Sequence, residues 1–241
     1  MKRLTHLSLM GKLEPYGAGF SEPIPINIAD ILKGKTTFDL SASESEKYLL
    51  GISFDIIAST SNYEDNKTVG NLNGKFYNIE QAIEDNKLTD VVSSVFDDID
   101  QYTFDIYELV TKLQDELLYE TGEMPSLCSN IFSIDNIYIE PEYRNNKFGS
   151  CTIILLSDYL KTQFNRQVGY FILEPIPRYK PEKEHEIDDC HPMFLEKKLN
   201  RFFNNLGFKP KGDYLYFNLN YDMQKIYNDN IKSLNIKKTK T

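Results

Sequence analysis

Ile137-Tyr-Ile-Glu-Pro-Glu-Tyr-Arg-Asn-Asn-Lys-Phe-Gly-Ser150 decides how the rest of this chain is read. Its first residues alternate as a strand does, Pro141 punctuates a turn, and from Gly149 the apolar residues Ile153, Leu156 and Leu160 recur at helical spacing. A strand that turns directly into a helix gathers several unpaired backbone N–H groups at one spot. Together with the positive end of the helix dipole they make a site for a phosphate or pyrophosphate. Gly149 lets the backbone approach closely, and Arg144 and Lys147 supply local positive charge.

Outward from this turn, the C-terminal half alternates strand and helix. Ser133 to Glu140 reads as a strand and Gly149 to Lys161 as a helix. Val168 to Leu173 is an apolar run of the kind covered on both faces, as a central parallel strand is. A helix from Met193 to Leu206 is introduced by Pro192, stopped by Gly207, and turns Leu195, Leu199, Phe202 and Leu206 inward. A last strand runs from Tyr214 to Leu219. This order predicts an α/β fold.

The N-terminal half is less regular. Met1 to Asp30 carries Pro and Gly with little periodicity and reads as irregular chain. Strands are expected over Thr37 to Leu40 and Tyr48 to Ser59, and a polar turn over Asn62 to Asn73. Two helices follow: one places Leu88, Val91, Val92, Val95 and Ile99 on a single face, the other Ile106, Leu109, Val110, Leu113 and Leu117. Both stripes are core packing.

Composition sets the class. With 41% hydrophobic and 26% charged residues, the chain has enough apolar side chains to bury a core. A formal net charge of -9 speaks against a broad nucleic-acid footprint, so no nucleic-acid partner is expected. No stretch is long and apolar enough for a membrane span or a signal peptide, and no membrane association is expected. Cys128, Cys151 and Cys190 are too few and too irregularly spaced for a disulfide framework, which points to a reducing, cytoplasmic setting. Glu184-His-Glu-Ile-Asp-Asp-Cys-His191 gathers residues that can ligate metals, but at no zinc spacing. It reads as a polar loop capping the Pro192 helix, and no metal is expected.

The Pro-Glu-Tyr turn and its loop resemble the GNAT superfamily of N-acetyltransferases. The family's pyrophosphate loop runs Arg or Gln, two residues, Gly, one residue, then Gly or Ala; Arg144 and Gly149 occupy the first and last of these positions. Arg201-Phe-Phe-Asn-Asn-Leu-Gly-Phe208 looks like the family's later helix ending in Leu-Gly-Phe. The resemblance implies a mixed, mostly antiparallel central sheet with a splayed parallel strand pair and flanking helices. It places a cofactor core over 131–220 of a domain spanning 36–222, between an irregular extension over 1–35 and a basic tail over 223–241. It implies acetyl-CoA as co-substrate, with Ile137, Tyr138 and Ile139 holding the pantetheine arm and Arg144, Asn145, Asn146, Lys147, Phe148, Gly149 and Ser150 the pyrophosphate. The acceptor it implies is a small or chain-end amine, for which the acidic balance favours a cation.

The chain departs from the family at three positions. Lys147 stands at the internal loop Gly, Glu196 at a frequent Asn, and Phe203 at the frequent general-acid Tyr, where a phenyl ring cannot donate a proton. Substitute catalytic groups are Glu174 at the end of the apolar strand, Asp135 on the preceding strand, and Tyr214 or Tyr216 as a proton donor. The alternative is a catalytically silent module that keeps the fold and binds coenzyme A, or serves interaction alone.

Overall fold

Strand β2 (Leu49–Thr60) buries Ile52, Phe54, Ile56 and Ala58, every second residue, as a strand with one face on a core must. It belongs to a computed structural model that describes residues 4–15, 48–60, 65–86, 93, 96–122, 130–164, 167–176 and 192–219. The class is mixed α/β, as expected, with seven strands among the described residues, mostly antiparallel, and flanking helices. The chain divides after Gly169 into two compact units.

In the first unit four strands pair in the order β1 (Leu4–Pro15), β2, β3 (Asn66–Tyr77) and β4 (Ile131–Ile139), each antiparallel to the next. Two expectations fail here. Residues 4–15 are a strand, not irregular chain: Leu7 and Leu9 alternate with exposed Ser8 and Met10, a signal that Gly11 and Pro15 obscure. The expected turn over Asn62 to Asn73 is largely strand β3. Its buried residues Val69, Leu72 and Phe76 are spaced among Asn71, Asn73 and Lys75, which are only half-buried.

β3 lies hard against β4. A methyl added at Gly70 would overlap the Tyr138 carbonyl oxygen, and one at Gly74 the Ser133 carbonyl oxygen. Beside Gly74 the register slips: Gly74 faces Ile134, but Asn73 faces Asn136. Asp135 is therefore the extra residue of a β-bulge. The slip turns Ile137, opposite Leu72, to the same side as Ile134, although three residues separate them.

One face of this sheet meets helix α3 (Phe148–Phe164), where Tyr159 packs edge-on against Phe54 with centroids 5.2 Å apart. Phe54 in turn lies 6.3 Å from Phe132 on β4. Burying a phenyl ring of this kind stabilises the fold by about 1.5–3 kcal/mol. The other face meets helix α2 (Gln101–Thr121), through the Lys75–Asp100 ion pair at 3.9 Å and Lys75 over the Tyr102 ring. Helix α2 buries the expected Ile106, Leu109, Val110 and Leu113. Asp100 caps it by accepting the Thr103 amide at 2.6 Å, and Gly122 ends it at φ +70°.

A short helix the sequence did not announce, α1 (Ile79–Asn86), has its first turn held by Asn130. The buried Asn130 side chain accepts the Glu80 amide and donates to the Glu80 carboxylate and the Gln167 carbonyl, all at 3.0 Å. Its own carbonyl accepts the Gly169 amide at 2.8 Å. Most of the helix expected over Leu88 to Ile99 lies outside the described residues, though Phe96 is buried and stacks on Tyr107.

In the second unit, β5 (Tyr170–Leu173) pairs with β7 (Tyr214–Asn218), and β7 with β6 (Lys209–Lys211), all antiparallel. β6 and β7 are joined by the two-residue turn Gly212-Asp213, with Gly212 at φ +59°. Helix α4 (Pro192–Asn205) brings Phe203 against Phe208, and Phe208 stacks toward Phe217 of β7.

The strand expected over Thr37 to Leu40, the loop Glu184 to His191 and the tail over 223–241 lie outside the described residues. No described helix is long and apolar enough to cross a membrane.

Candidate functional site

The junction between β4 and α3 is built from the end of the strand onward. Glu140 closes the strand by donating its amide to the Val69 carbonyl at 2.9 Å. Pro141 then starts a single 3-10 turn, Pro141–Tyr143, which its fixed φ favours. The turn is held by the Tyr143 amide on the Glu140 carbonyl and the Arg144 amide on the Pro141 carbonyl.

After the turn the chain enters left-handed backbone twice, at Asn145 and Lys147, both with φ +64°. Asparagine tolerates this region; lysine does so at a cost. Lys147 stands where the resembling loop has Gly, and its backbone adopts the conformation Gly is used for. Alternation of left- and right-handed residues turns successive N–H groups toward one concavity, the arrangement that binds anions. Among the described residues, no partner accepts the backbone amides of Asn145, Asn146, Lys147, Phe148, Gly149 or Ser150. The first amide of the helix to be engaged is that of Cys151, on the Lys147 carbonyl at 2.9 Å.

Side chains brace the loop from outside. Asn146 donates through Nδ2 to the carbonyls of Tyr143 and Arg144, at 3.1 and 3.2 Å. Arg144 donates through Nε to the Ile139 carbonyl at 2.9 Å, and its guanidinium carbon lies 5.6 Å from the Tyr138 ring centroid. The Tyr138 hydroxyl donates to the Glu140 carboxylate at 3.2 Å. Tethering by Nε leaves both Nη groups of Arg144 without a partner among the described residues. Arg144 and Lys147 are both exposed. Cys151, one turn into α3, is exposed by surface area, but partial desolvation of its sulfur pushes the thiol above its ordinary value, and the Lys147 charge pulls it partly back.

All ten residues read as cofactor-binding, Ile137 to Ile139 and Arg144 to Ser150, are in the first unit on one continuous stretch of β4, turn and α3. The proposed catalytic groups are divided. Asp135 is the bulge residue of β4 in the first unit; Glu174 and Tyr214 are in the second. There Leu173 faces Leu215, so Glu174, one residue past β5, and Tyr214, the first of β7, are at adjoining strand positions. Both are half-buried, as is Tyr216.

Phe203 is 2% exposed and contacts Phe202 and Phe208 edge-on at 4.9 and 5.2 Å. The position where the resembling family carries a phenol is here part of an aromatic core, while Glu196 is exposed. Among the described residues no group of three or more His, Cys, Asp or Glu is arranged to hold a metal.

The bulge was missed in the sequence, although a signal existed. Ile134 and Ile137 are three apart within a strand whose other apolar pairs, Phe132 with Ile134 and Ile137 with Ile139, are two apart.

No protein-family model matches the chain, and no curated protein does. Among solved structures it is similar to one described as the crystal structure of the KacTA–DNA complex, with a TM-score of 0.37 and 10% sequence identity, covering 92% of this chain and 99% of that chain. Likeness of this degree says nothing of what this chain does. The structure matched is a complex with DNA, a property of that protein, and against it the expectation of no nucleic-acid partner for this chain is withdrawn. That expectation rested on the net charge of -9, and local rather than net charge decides contact with phosphates.

Proposed function

We propose that the chain is an acyl-CoA-dependent N-acyltransferase of GNAT type, with acetyl-CoA as donor and an amine as acceptor. The observation that carries this reading is the run of unengaged amides from Asn145 to Ser150, which begins at one left-handed residue, passes through a second at Lys147 and is flanked by a tethered arginine. Two linked phosphates match that combination of donors and charge better than a neutral ligand does. In this reading Arg144, Asn145, Asn146, Lys147, Phe148, Gly149 and Ser150 bind the pyrophosphate, and Ile137, Tyr138 and Ile139 receive the pantetheine arm within a core over 131–220. A cytoplasmic setting goes with such a co-substrate.

Transfer forms an N–C bond between the amine and the acyl carbonyl and breaks the C–S bond. One proton must leave the nitrogen, and the thiolate departs with the electron pair. Asp135 or Glu174 accepts the amine proton in this scheme, and Tyr214 supplies the proton to sulfur. Positioning of the amine against the thioester contributes the larger part of the acceleration, since coenzyme A thiolate is a tolerable leaving group.

A second reading, a module that binds coenzyme A without transfer, is favoured by one observation: Phe203 is enclosed among phenyl rings. Calorimetry with acetyl-CoA tests both, and a silent titration removes the cofactor from the account. Release of free thiol from acetyl-CoA in the presence of an amine panel then separates enzyme from module.

A further inference from the structure

Glu140 and Arg144 flank the 3-10 turn Pro141–Tyr143, an acid before it and a base after it. Arg144 donates through Nε to the Ile139 carbonyl at 2.9 Å, and that carbonyl belongs to the peptide group whose nitrogen is Glu140's own. The guanidinium is thus one peptide unit from the Glu140 side chain. An arginine so placed ordinarily closes a forked ion pair with the acid. Here it does not, for Arg144 enters no ion pair among the described residues. The Glu140 carboxylate instead accepts the Tyr138 hydroxyl at 3.2 Å. Tyr138 is itself fixed from behind: its carbonyl oxygen fills the place a methyl at Gly70 would need, and Asn71 faces it across the ladder. The guanidinium carbon of Arg144 lies 5.6 Å from the centroid of the same ring. One side chain therefore engages the acid by its hydroxyl and the base by its ring. Glu142, inside the turn, is exposed and has no partner among the described residues.

An arginine paired with a carboxylate is a poorer ligand for phosphate, because the two anions compete for the same N–H donors and the pair carries little net charge. A phenol that engages the carboxylate holds the competitor back and adds no charge of its own. We propose, on the reading of the loop as a phosphate site, that Tyr138 is a positioning residue: its hydroxyl keeps Glu140 from neutralising Arg144, and the guanidinium stays available to a ligand with linked phosphates. The role belongs to the Tyr138 side chain and is separate from that of the strand backbone, which receives the pantetheine arm in the same reading. Loss of the hydroxyl alone leaves the ring in place and lets Glu140 turn to Arg144.

Calorimetric titration of the full chain with inorganic pyrophosphate tests this. Tyr138→Phe is expected to weaken binding about two- to fivefold, the range of an exposed ion pair that must first be broken. In a Glu140→Gln background the same change has no effect, whereas in a Glu142→Gln background it keeps its full effect, since the missing hydroxyl releases only Glu140. A loss that persists beside Glu140→Gln, or that Glu142→Gln also cancels, overturns the proposal. A second measurement needs no ligand. The shifts in urea midpoint caused by Arg144→Ala and Glu140→Gln add in the parent; in Tyr138→Phe, where the two side chains pair, the combined shift is smaller than the sum. Additive shifts in Tyr138→Phe overturn the proposal whether or not pyrophosphate binds. A parent that does not bind pyrophosphate, beside shifts that fail to add in Tyr138→Phe, overturns the phosphate reading of the loop and upholds the hold of Tyr138 on Glu140.

Discussion

Arg144 reaches back over the turn to the strand it has just left, its Nε donating to the Ile139 carbonyl at 2.9 Å. The tether lays the guanidinium beside the Tyr138 ring, 5.6 Å from its centroid. Charge and tether can be separated by substitution.

Arg144→Ala is expected to weaken acetyl-CoA binding about tenfold, or ~1.4 kcal/mol. Arg144→Lys keeps the charge and loses the planar fork with its Nε donor, so it recovers only part of that loss. Calorimetric titration of the three proteins decides, and a lysine variant that binds as tightly as the parent would remove any role for the tether.

Lys147 carries a side chain in left-handed backbone, which costs on the order of 1 kcal/mol. Lys147→Gly should therefore raise the urea midpoint, by up to about 1 kcal/mol of unfolding free energy, while loosening the grip on anions through the missing ammonium. A drop in stability would show that the lysine makes compensating contacts. The two readouts move in opposite directions, which a purely structural role does not predict.

At Gly70 an added methyl overlaps the Tyr138 carbonyl, and the strand cannot yield without straining the Glu140 to Val69 bond that closes β4. Gly70→Ala is expected to cost about 1–3 kcal/mol in chemical denaturation. Because Tyr138 also flanks Arg144, the variant should bind acetyl-CoA less well at temperatures where it remains folded. Undisturbed stability would mean that the two strands can part there freely.

Cys151 is exposed on α3, yet partial desolvation of its sulfur raises the thiol above its ordinary pKa, so at neutral pH less of it is thiolate than in a free thiol. In a Cys128→Ser/Cys190→Ser background, iodoacetamide should alkylate Cys151 more slowly than it alkylates glutathione at the same pH. Adding Lys147→Gln removes the charge that favours the thiolate and slows the reaction further. Faster alkylation than the free thiol would contradict the assignment.

Much of the strand and helix order was legible because burial leaves a period in the sequence. Ile153, Leu156 and Leu160 marked α3, Ile106 to Leu113 marked α2, and the unbroken apolar run before Glu174 marked β5. β3 was hidden because its alternate residues are amides and a lysine that face a helix, where Lys75 finds Asp100, instead of apolar side chains. β1 was hidden by a glycine and a proline in a strand paired along its length. Of the candidate site, the strand-turn-helix junction could be read from Pro141 and Gly149. The left-handed residues could not, since nothing in the identity of Lys147 advertises positive φ. The shared neighbourhood of Glu174 and Tyr214 depended on a strand register that no local pattern encodes.

The extra residue at Asp135 works as a phase shift in the strand. Up to Ile134 one set of side chains points toward α3; beyond Asn136 the count restarts, and Ile137 and Ile139 resume the same direction. Removing Asp135 would not merely delete a carboxylate. It would also regularise the strand, leaving Ile134 opposite Gly74, Asn136 opposite Asn73 and Ile137 opposite Leu72 in an unbroken alternation, with Tyr138 on the side it already occupies. Point substitutions at Asp135 should accordingly be mild for the fold, and a one-residue deletion there should leave anion binding in place; a deletion that abolished it would show that the bulge itself shapes the turn.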